Sequence, residues 1–393
     1  MVEAYTENNQ MHAPAMIGPL LDLRHQRGRP PLPLHPVVVQ KFGGTLLRSP
    51  AGRAGVLDQI RRTRAGGHPV VVVASAMGRA GEAYATDTLL QLAHDIGPDI
   101  DPRTQDLLLS CGEVISTALL AHLLTQAGFA AIALTGREAG IVTDDHFGDA
   151  HVLSIEPLRV LRALKDRQIP VVAGFQGRTA IGDVTTLGRG GSDISAVALA
   201  AALGGEVEIF KDVEGVLSAD PRVVPAARTL SRMSYADAAL AGWLGARVLH
   251  PRAVELAQRQ SVPLSVRPLH GGAASGTTFV PSGSPCPASI LVVHTPDVAP
   301  DTPPFEADGR VSVVGSGLRG VPEAPTLGAQ ALRAAGISVL AFEEPTPGLA
   351  MSWSVPLRSM ESAARALHRS FVEDLPSTPF EITPSRVVAL TRF

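Results

Sequence analysis

The feature that most restricts how this chain can fold is an alternation of short, continuously apolar segments with helical patterns, from Val37 to about Phe210. The apolar segments, which we predict to be strands, are residues 37–42, 70–74, 129–134, 169–173 and 207–210. The predicted helices are residues 55–64, 86–94, 104–127, 158–167 and the alanine-rich run 194–203. Strands that are apolar throughout and alternate with helices are typical of a parallel sheet covered on both faces. The sequence therefore predicts an α/β fold with a mostly parallel central sheet sandwiched by helices.

Glycine-rich and charged clusters follow the predicted strands. They are residues 41–45, 75–78, 174–177, 188–193 and 211–215. Ligands of open α/β sheets bind beyond the carboxyl ends of the strands, so these clusters predict one binding site. The turn Gly188–Asp193 precedes the alanine-rich helix, whose N-terminal amides favour an anion, and the guanidinium of Arg189 suits a carboxylate or a phosphate. By itself the turn is weak evidence, because it fits neither the dinucleotide fingerprint nor the P-loop.

Composition excludes several classes of function. The net charge of −3 and an aromatic content of 4% give no reason to expect nucleic acid as a partner. Two cysteines, Cys111 and Cys286, cannot form a disulfide framework, which fits a reducing cytoplasm. No apolar run approaches the roughly 20 residues of a membrane span, and no cluster of His, Cys and carboxylates has metal-ligand spacing. The lysines are only Lys41, Lys165 and Lys211, so each is a candidate for a site that needs a compact ammonium.

Eight motifs, in order along residues 37 to 280, resemble those of the aspartate kinases of the amino-acid kinase superfamily. The motifs are Lys41-Phe-Gly-Gly-Thr45, Ser75-Ala-Met-Gly78, Ser110-Cys-Gly-Glu113, Gly174-Phe-Gln-Gly177, Thr186-Leu-Gly-Arg-Gly-Gly-Ser-Asp193, Asp212-Val-Glu-Gly215, Asp220-Pro-Arg222 and Gly245-Ala-Arg-Val-Leu-His-Pro251. The resemblance implies transfer of the γ-phosphoryl group of ATP to the side-chain carboxylate of L-aspartate, which gives 4-phospho-L-aspartate. It also implies that Mg²⁺ arrives on the nucleotide, with no metal-binding residues of the protein itself.

The resemblance assigns roles to individual residues. Lys41 would reach the transferring phosphoryl group, and Asp193 would orient the substrate amine or the catalytic cation. The substrate-binding residues would be Ser75, Thr86, Glu113, Phe175 and Arg189. The nucleotide-binding residues would be Gly43, Gly44, Lys211, Asp212, Arg222 and Arg247.

Four positions depart from the commoner pattern of that family. Lys211 stands where many members have threonine, and Arg247 stands where many have lysine, so both keep or add positive charge near phosphate. Leu217 replaces a frequent tyrosine that packs on adenine. Leu46 replaces a serine and removes one hydroxyl donor near the phosphates. This substitution is the one feature that argues against full activity.

Composition shifts divide the chain into three parts. Residues 1–36 are predicted to be a flexible extension, residues 37–283 the catalytic domain, and residues 284–393 a shortened regulatory domain. In the last part, strands at 310–314, 337–342 and 349–355 and helices at 324–335 and 361–371 resemble one ACT module, where the family usually carries two, and a last strand is predicted at 386–390. Residues 288–294 and the final strand are interpreted as remnants of the other. We therefore expect feedback inhibition to be weak or lost, and a homodimer to form through the ACT-like domain.

Three functional hypotheses remain open from the sequence. The first is an active aspartate kinase, and the second is a kinase of the same fold that acts on another carboxylate or on an aspartate analogue. The third is a non-catalytic partner that binds ligand without turnover. Thr86, Glu113 and Arg189 favour aspartate as the substrate. Lys41 and Asp193 argue against the non-catalytic hypothesis.

Overall fold

The computed structural model describes residues 36–246, 249–271, 275–281, 290–294, 308–321 and 323–374. The strands within these ranges are β1 Val38–Phe42, β2 Val70–Ala74, β3 Ala131–Leu134, β4 Ile141–Thr143, β5 Val152–Ile155, β6 Ile169–Ala173, β7 Gln176–Arg178, β8 Val184–Thr186, β9 Glu206–Lys211, β10 Arg232–Ser234, β11 Leu264–Pro268, β12 Thr277–Val280, β13 Ile290–His294, β14 Asp308–Val314, β15 Ala341–Thr346 and β16 Ala350–Pro356. The helices are α1 Gly44–Leu47, α2 Pro50–Ala65, α3 Thr86–Ile96, α4 Pro102–Gln126, α5 Leu158–Lys165, α6 Gly191–Leu203, α7 Tyr235–Trp243, α8 Pro251–Arg259, α9 Ala324–Ala334 and α10 Met360–His368.

The central sheet has the strand order β10-β12-β11-β9-β1-β2-β6-β3. From β11 to β3 all neighbouring strands are parallel, which confirms the predicted α/β class. The register sets Lys41 beside Val73 of β2 and Ile209 of β9. The carboxyl ends of β1, β2, β6 and β9 therefore lie along one edge, and the glycine-rich clusters follow them there.

The two faces of this sheet bury separate apolar cores. One core packs α6 and α8 on the sheet, and the other packs α2 and α4 on the opposite face. Every residue of α6 is buried, and glycines in the left-handed conformation, Gly190 (φ 72°) and Gly204 (φ 63°), cap its two ends. A helix that is apolar on all sides is stable only when it is surrounded by protein. Leu46 lies in the second core, so the leucine in place of serine is a packing residue.

Helix α4 differs from the expectation that no segment is apolar enough to span a bilayer. Among the described residues it is the one helix whose length and hydropathy would allow it to cross a membrane. Half of its apolar window is buried inside the protein, and its buried side includes Asp106 and Glu113. The contacts of α4 with β3, β6 and β8 identify it as a helix of the protein core.

A small mixed sheet, of order β5-β4-β7-β8, was not predicted; β4 and β7 are parallel, and the other two pairs are antiparallel. Three of its strands, β4, β7 and β8, have only three residues each, too few for a hydrophobic period to be recognised. In the chain, β4 and β5 lie between β3 and α5, and β7 and β8 lie between β6 and α6. The small sheet carries Thr186 and the loop around Gly148 to the carboxyl edge of the central sheet, where both line a cavity.

The C-terminal part is an antiparallel sheet of order β13-β14-β16-β15, with a core that includes Trp353, Leu367 and Phe371. The predicted order of strand, helix, two strands and helix is found, but the second strand is β15 at 341–346 rather than 337–342. Ile337 follows the left-handed Gly336 and is buried in the core as part of a turn, so its hydrophobicity does not mark a strand. Strand β13 belongs to this same sheet. The predicted strand 386–390 and the extension 1–35 lie outside the described residues.

The segment between β9 and β10 fastens the C-terminal sheet to the central domain. Ala219, Val223 and Val224 belong to the C-terminal core. The buried Ser218 Oγ lies 3.0 Å from Nε2 of His368, whose Nδ1 lies 2.7 Å from Oε1 of Glu373. Because the Glu373 carboxylate can only accept, Nδ1–H of His368 donates to it, and Nε2 of the neutral ring accepts the Ser218 hydroxyl, whose oxygen accepts the amide N–H of Arg228 at 2.7 Å. Burial lowers the pKa of the His368 imidazole, which favours this neutral form.

We predict that His368→Phe lowers the free energy of unfolding by about 2 kcal/mol. Phenylalanine fills the space but leaves the buried hydroxyl of Ser218 without its acceptor. Urea unfolding of the full chain measures the loss. The double variant with Ser218→Ala should recover part of it, and strict additivity of the two single changes would contradict the hydrogen bond.

Candidate active site

A cavity of about 420 Å³ opens at the carboxyl edge of the central sheet. Its lining includes all seven residues that the sequence predicts to be catalytic or substrate-binding, namely Lys41, Ser75, Thr86, Glu113, Phe175, Arg189 and Asp193. These residues come from β1, from the segments after β2 and β6, from the start of α3, from α4 and from the turn before α6. They lie far apart in the sequence, and the parallel sheet brings them together.

The turn Gly188–Gly191 can take its shape only with glycine. Gly188 (φ 68°) and Gly190 (φ 72°) are left-handed, and a Cβ on Gly190 would lie 2.1 Å from Cβ of His250. A Cβ on Gly188 would lie 2.2 Å from the Asp149 carboxylate. Asp149 is itself held in place by an ion pair with Arg252 of α8. The close approach holds Arg189 at the mouth of the cavity and the first turn of α6 at its floor.

Two lysines and one carboxylate form a buried charge cluster. Lys41 Nζ lies 2.7 Å from Asp193 Oδ1, and both side chains are nearly inaccessible. Burial alone would raise the pKa of the Asp193 carboxyl, but the charges of Lys41 and Lys211 outweigh this and lower it. Burial lowers the pKa of the Lys211 ammonium, and the nearby Lys41 adds to that effect while Asp193 opposes it. The cluster has more positive than negative charge, which suits a site for phosphate oxygens.

Glu113 carries an unpaired oxygen into the same cavity. Its Oε1 accepts the amide N–H of Ala76 at 3.0 Å, and its buried Oε2 has no protein partner. Burial raises the pKa of this carboxyl to about 8, although the Ala76 amide and Lys41 act in the opposite direction. At neutral pH without ligand the group therefore holds its proton. A cationic group that reached Oε2 would favour the ionised form.

The raised pKa of Glu113 makes the stability of the protein depend on pH. The unfolded carboxyl loses its proton near pH 4.5, whereas the folded one keeps it until about pH 8. Its contribution to the free energy of unfolding is thus fully present below 4.5 and is lost as the pH rises to about 8. We predict that Glu113→Gln removes this decline, so the variant gains stability relative to the parent between about pH 5 and about pH 8. Urea unfolding across that range checks it, and parallel curves would contradict it.

Asp106 is a site residue that the sequence interpretation missed. It is fully buried on α4, where Oδ2 accepts the amide N–H groups of Thr186 at 2.7 Å and Gly148 at 3.0 Å, and Oδ1 accepts the Thr186 hydroxyl at 2.7 Å. Burial raises the pKa of Asp106, and these hydrogen bonds act against that rise. Asp106 precedes Glu113 by two helical turns, so helical spacing on the apolar face could have revealed it.

Phe175 and His250 make structural contacts that the sequence interpretation did not include. Phe175 adopts φ 68°, a conformation that is unusual for a side chain larger than glycine. Its N–H donates to Ser195 Oγ and its carbonyl accepts Leu187 N–H, so the strained residue joins β6 to α6 as well as lining the cavity. His250 packs under Gly190 with Nδ1 buried and unpaired, and burial lowers its pKa. Sequence reasoning gave His250 no role beyond its motif.

None of the predicted nucleotide-binding residues within the described ranges lines this cavity. Gly43 and Gly44 begin α1 beside it, and a Cβ on Gly44 would lie 2.0 Å from the carbonyl oxygen of Ala76. Lys211 is close enough to influence Asp193 and Lys41. Asp212 is half-exposed and lies 3.4 Å from Arg79. Arg222 is exposed and pairs with Asp220 in the segment that contacts the C-terminal core, while Arg247 lies outside the described residues. Among the described residues, no group of three His, Cys or carboxylate side chains could hold a metal ion.

Comparison with known proteins identifies relatives. Residues 36–268 match the model of the amino acid kinase family. Aspartokinase 1 of Bacillus subtilis is 48% identical over 232 residues, which are 59% of this chain and 57% of that protein. The aspartokinase of Corynebacterium efficiens is 41% identical over 300 residues, 76% of this chain and 67% of that protein. The chain thus spans less than two thirds of the length of the B. subtilis relative.

Solved structures show the same fold. A structure of E. coli aspartokinase III in complex with aspartate and ADP has a TM-score of 0.71 and 22% identity, and the match covers 86% of this chain and 100% of that one. Aspartate kinase from Synechocystis has a TM-score of 0.55 and 28% identity, with 88% of this chain and 71% of that one covered. Together with the family model, the likeness in sequence and in fold establishes that the chain belongs to the amino acid kinase family, among the aspartokinases.

Proposed function

We propose that this protein is an aspartate kinase that transfers the γ-phosphoryl group of ATP to the side-chain carboxylate of L-aspartate. The observation that supports this most directly is the cavity in which Lys41, Glu113 and Arg189 meet. The guanidinium of Arg189 matches a carboxylate of aspartate, and the carboxyl group of Glu113 matches its amine. The ammonium of Lys41 matches the charge of the reacting oxygens of the phosphoryl donor.

The proposed reaction requires positioning and neutralisation of charge. A side-chain oxygen of aspartate forms a bond to the γ-phosphorus while the bond from that phosphorus to the bridging oxygen of ADP breaks. Lys41 would neutralise the charge of the transferring group, and Asp193 would hold Lys41 in place through the 2.7 Å pair. Mg²⁺ bound to ATP would neutralise the phosphate oxygens, which agrees with Asp193 being already engaged by lysine. The amides of Gly43 and Gly44 and the charges of Lys211 and Arg247 are proposed to hold the nucleotide, and Asp212 and Arg222 are proposed to contact it further out.

The protonated state of Glu113 predicts that an amine-bearing substrate causes release of a proton when it binds. Its raised pKa means that the carboxyl is protonated at pH 7, and the substrate ammonium would ionise it. Calorimetric titration with L-aspartate in two buffers of different ionisation enthalpy should therefore show release of a proton. Glu113→Gln should abolish the release, and equal heats in both buffers for the parent protein would contradict this role.

Trapping of the acyl phosphate tests the activity itself. The full chain with ATP, Mg²⁺, L-aspartate and hydroxylamine should form aspartate hydroxamate, and L-glutamate should form none. Lys165→Ala removes an exposed lysine of α5. It is the matched control for substitution of Lys41 and should keep full activity. Hydroxamate from glutamate or an aspartate analogue alone would favour another acceptor. Nucleotide binding without any hydroxamate would overturn the proposal in favour of a non-catalytic partner.

Regulation is proposed to be weak. The described C-terminal residues build one module, and β15 and β16 are joined by Pro347, Gly348 and Leu349 rather than by hydroxyl-rich residues. We expect lysine, threonine and diaminopimelate to leave the activity nearly unchanged. Half-inhibition at a submillimolar concentration of any of them would contradict this.

A homodimer through the C-terminal sheet is the proposed assembly. β15 lies at the edge of that sheet, with Leu340 and Phe342 about half exposed. An unpaired edge that carries apolar side chains favours pairing with a second copy. Light scattering should give the mass of a dimer, and Phe342→Lys should shift it toward the monomer. A monomer mass for the parent chain would contradict the assembly.

A further inference from the structure

A second cavity, of about 510 Å³, lies on the outer side of α4 and is not part of the proposed active site. We name it the α4 groove. Its floor is one face of α4, formed by Leu119, His122 and Leu123 at helical spacing, and its far wall is Met77 with Tyr84. The volume is in the range of pockets that hold small organic ligands. Leu119 and Tyr84 are each about half exposed, so an apolar surface is left uncovered.

Charge in the α4 groove is predominantly positive. Arg48 and Arg53 line it together with one carboxylate, that of Glu82. Arg53 Nη1 donates to the carbonyl of Leu47 at 2.8 Å, which fixes that guanidinium at the rim. An apolar floor with two guanidinium groups at the rim fits a small molecule that has an apolar body and one carboxylate.

The ion pair between Arg48 and Glu82 occupies the position that such a carboxylate would take. Arg48 Nη1 lies 2.6 Å from Glu82 Oε1, and both side chains are more than two-fifths exposed. Exposed pairs of this kind are weak, so a ligand carboxylate can replace Glu82 at Arg48. Glu82 Oε2 also accepts the amide N–H of Arg79 at 3.2 Å, so it fastens the loop 78–85 to the end of α1. Displacement of Glu82 would release that loop.

The same loop connects the α4 groove to the proposed active site. Three successive amides before the loop are held in place: Ala76 by Glu113 at 3.0 Å, Met77 by Ser116 Oγ at 2.9 Å and Gly78 by the Gly44 carbonyl at 3.3 Å. Ser75 precedes this segment and Thr86 follows the loop, and both line the active-site cavity. These direct contacts are the route by which a change in the α4 groove would reach the active-site cavity.

We propose that the α4 groove is an effector site for a small amphipathic carboxylate, and that its occupancy changes the affinity of the active-site cavity for substrate. The second half of this proposal rests on the proposed function, because it takes L-aspartate as the ligand of the cavity. The site is separate from the C-terminal sheet, so it would operate in a chain whose ACT-like region does not respond to amino acids.

The test uses 3-phenylpropionate as the probe and its neutral amide as the matched ligand, each titrated calorimetrically into the full chain. We expect saturable binding of the carboxylate and at least roughly tenfold weaker binding of the amide, since the charged hydrogen bond is lost. Arg48→Gln should weaken binding of the carboxylate about tenfold, while Glu82→Gln should strengthen it several-fold by removing the competitor. Leu119→Glu should abolish it. Leu92→Glu, at an equally exposed leucine of α3, is the control and should have no effect.

Coupling is measured separately, as the dissociation constant of L-aspartate with and without saturating 3-phenylpropionate. We expect a change of about threefold or more in the parent chain, which is about the lower limit of a typical coupling between sites, and no change in Leu119→Glu. Equal affinities for the carboxylate and the amide, or binding that survives both Arg48→Gln and Leu119→Glu, would overturn the site. An unchanged aspartate affinity would overturn the coupling. Absence of aspartate binding altogether would overturn the proposed function and, with it, the coupling, while the probe titration still decides the site.

Discussion

Lys41→Met is expected to abolish phosphoryl transfer while also destabilising the protein. The substitution removes the ammonium that would neutralise the transferring group, and losses on the order of 10³-fold in kcat are typical when a preorganised charge of this kind is lost. It also leaves Asp193, which is buried, without its partner at 2.7 Å. Breaking a buried pair in this way costs about 3–5 kcal/mol. The hydroxamate assay measures the first effect, and urea unfolding measures the second.

The double variant Lys41→Met/Asp193→Asn separates the two effects. Removal of the orphaned charge should recover most of the lost stability, because a neutral amide is far less costly to bury than a carboxylate. Activity should stay as low as in the single variant. If the double variant recovered activity, Lys41 would have only a structural role. If Lys41→Met were as stable as the parent protein, the neighbouring Lys211 would be sufficient to compensate Asp193.

Asp106→Ala is expected to have the largest effect of any substitution outside the lining of the cavity. It leaves the amide N–H groups of Thr186 and Gly148 buried without an acceptor and opens a void in α4, which together should cost about 4 kcal/mol. Thr186 and Gly148 both line the active-site cavity, so the KM for aspartate should rise as the turn before α6 loosens. Urea unfolding and a substrate titration in the hydroxamate assay measure the two results.

Asp106→Asn provides the matched control. Its carbonyl oxygen can accept the same two amides, and its NH₂ group can donate to the hydroxyl of Thr186, which then accepts instead of donating. The stability should fall by no more than about 1 kcal/mol, and the KM should stay close to that of the parent protein. Equal damage from asparagine and alanine would mean that the charge of Asp106, rather than its hydrogen bonds, holds the turn.

The central sheet could be predicted closely because its strands are buried on both faces. The bounds 70–74 and 169–173 agree with β2 and β6, since runs of valine and isoleucine that end at glycine or serine leave little choice. The convergence of Lys41 and Arg189 followed from the rule that parallel strands end at one edge, whereas Glu113, which lies on α4, was assigned by resemblance. The strands β4, β7 and β8 could not be predicted, because each is too short for its residues to show a period and each depends on pairing with distant chain.

Other parts of the site depend on contacts that no local pattern records. Helical spacing can place Asp106 on the buried face of α4, but its partners Thr186 and Gly148 come from distant segments of the chain. His250 is a neighbour of the turn because α8 packs against α6, which is a tertiary fact. The nucleotide-binding residues were assigned by resemblance rather than from a local pattern, and their roles stay predictions. The side chain of Arg222, for example, is exposed and pairs with Asp220 two residues away in the segment that reaches the C-terminal core.

The attachment of the C-terminal sheet has a consequence for exchanging modules between related proteins. Ala219, Val223 and Val224 are inserted from the catalytic part of the chain into the core around Trp353 and Phe371. The unit that has to be exchanged is therefore not the C-terminal part of the sequence alone. A chimera with a C-terminal part from a relative would also need the matching segment around residues 217–230. Without it, the side chains of the two parts would not pack well against each other.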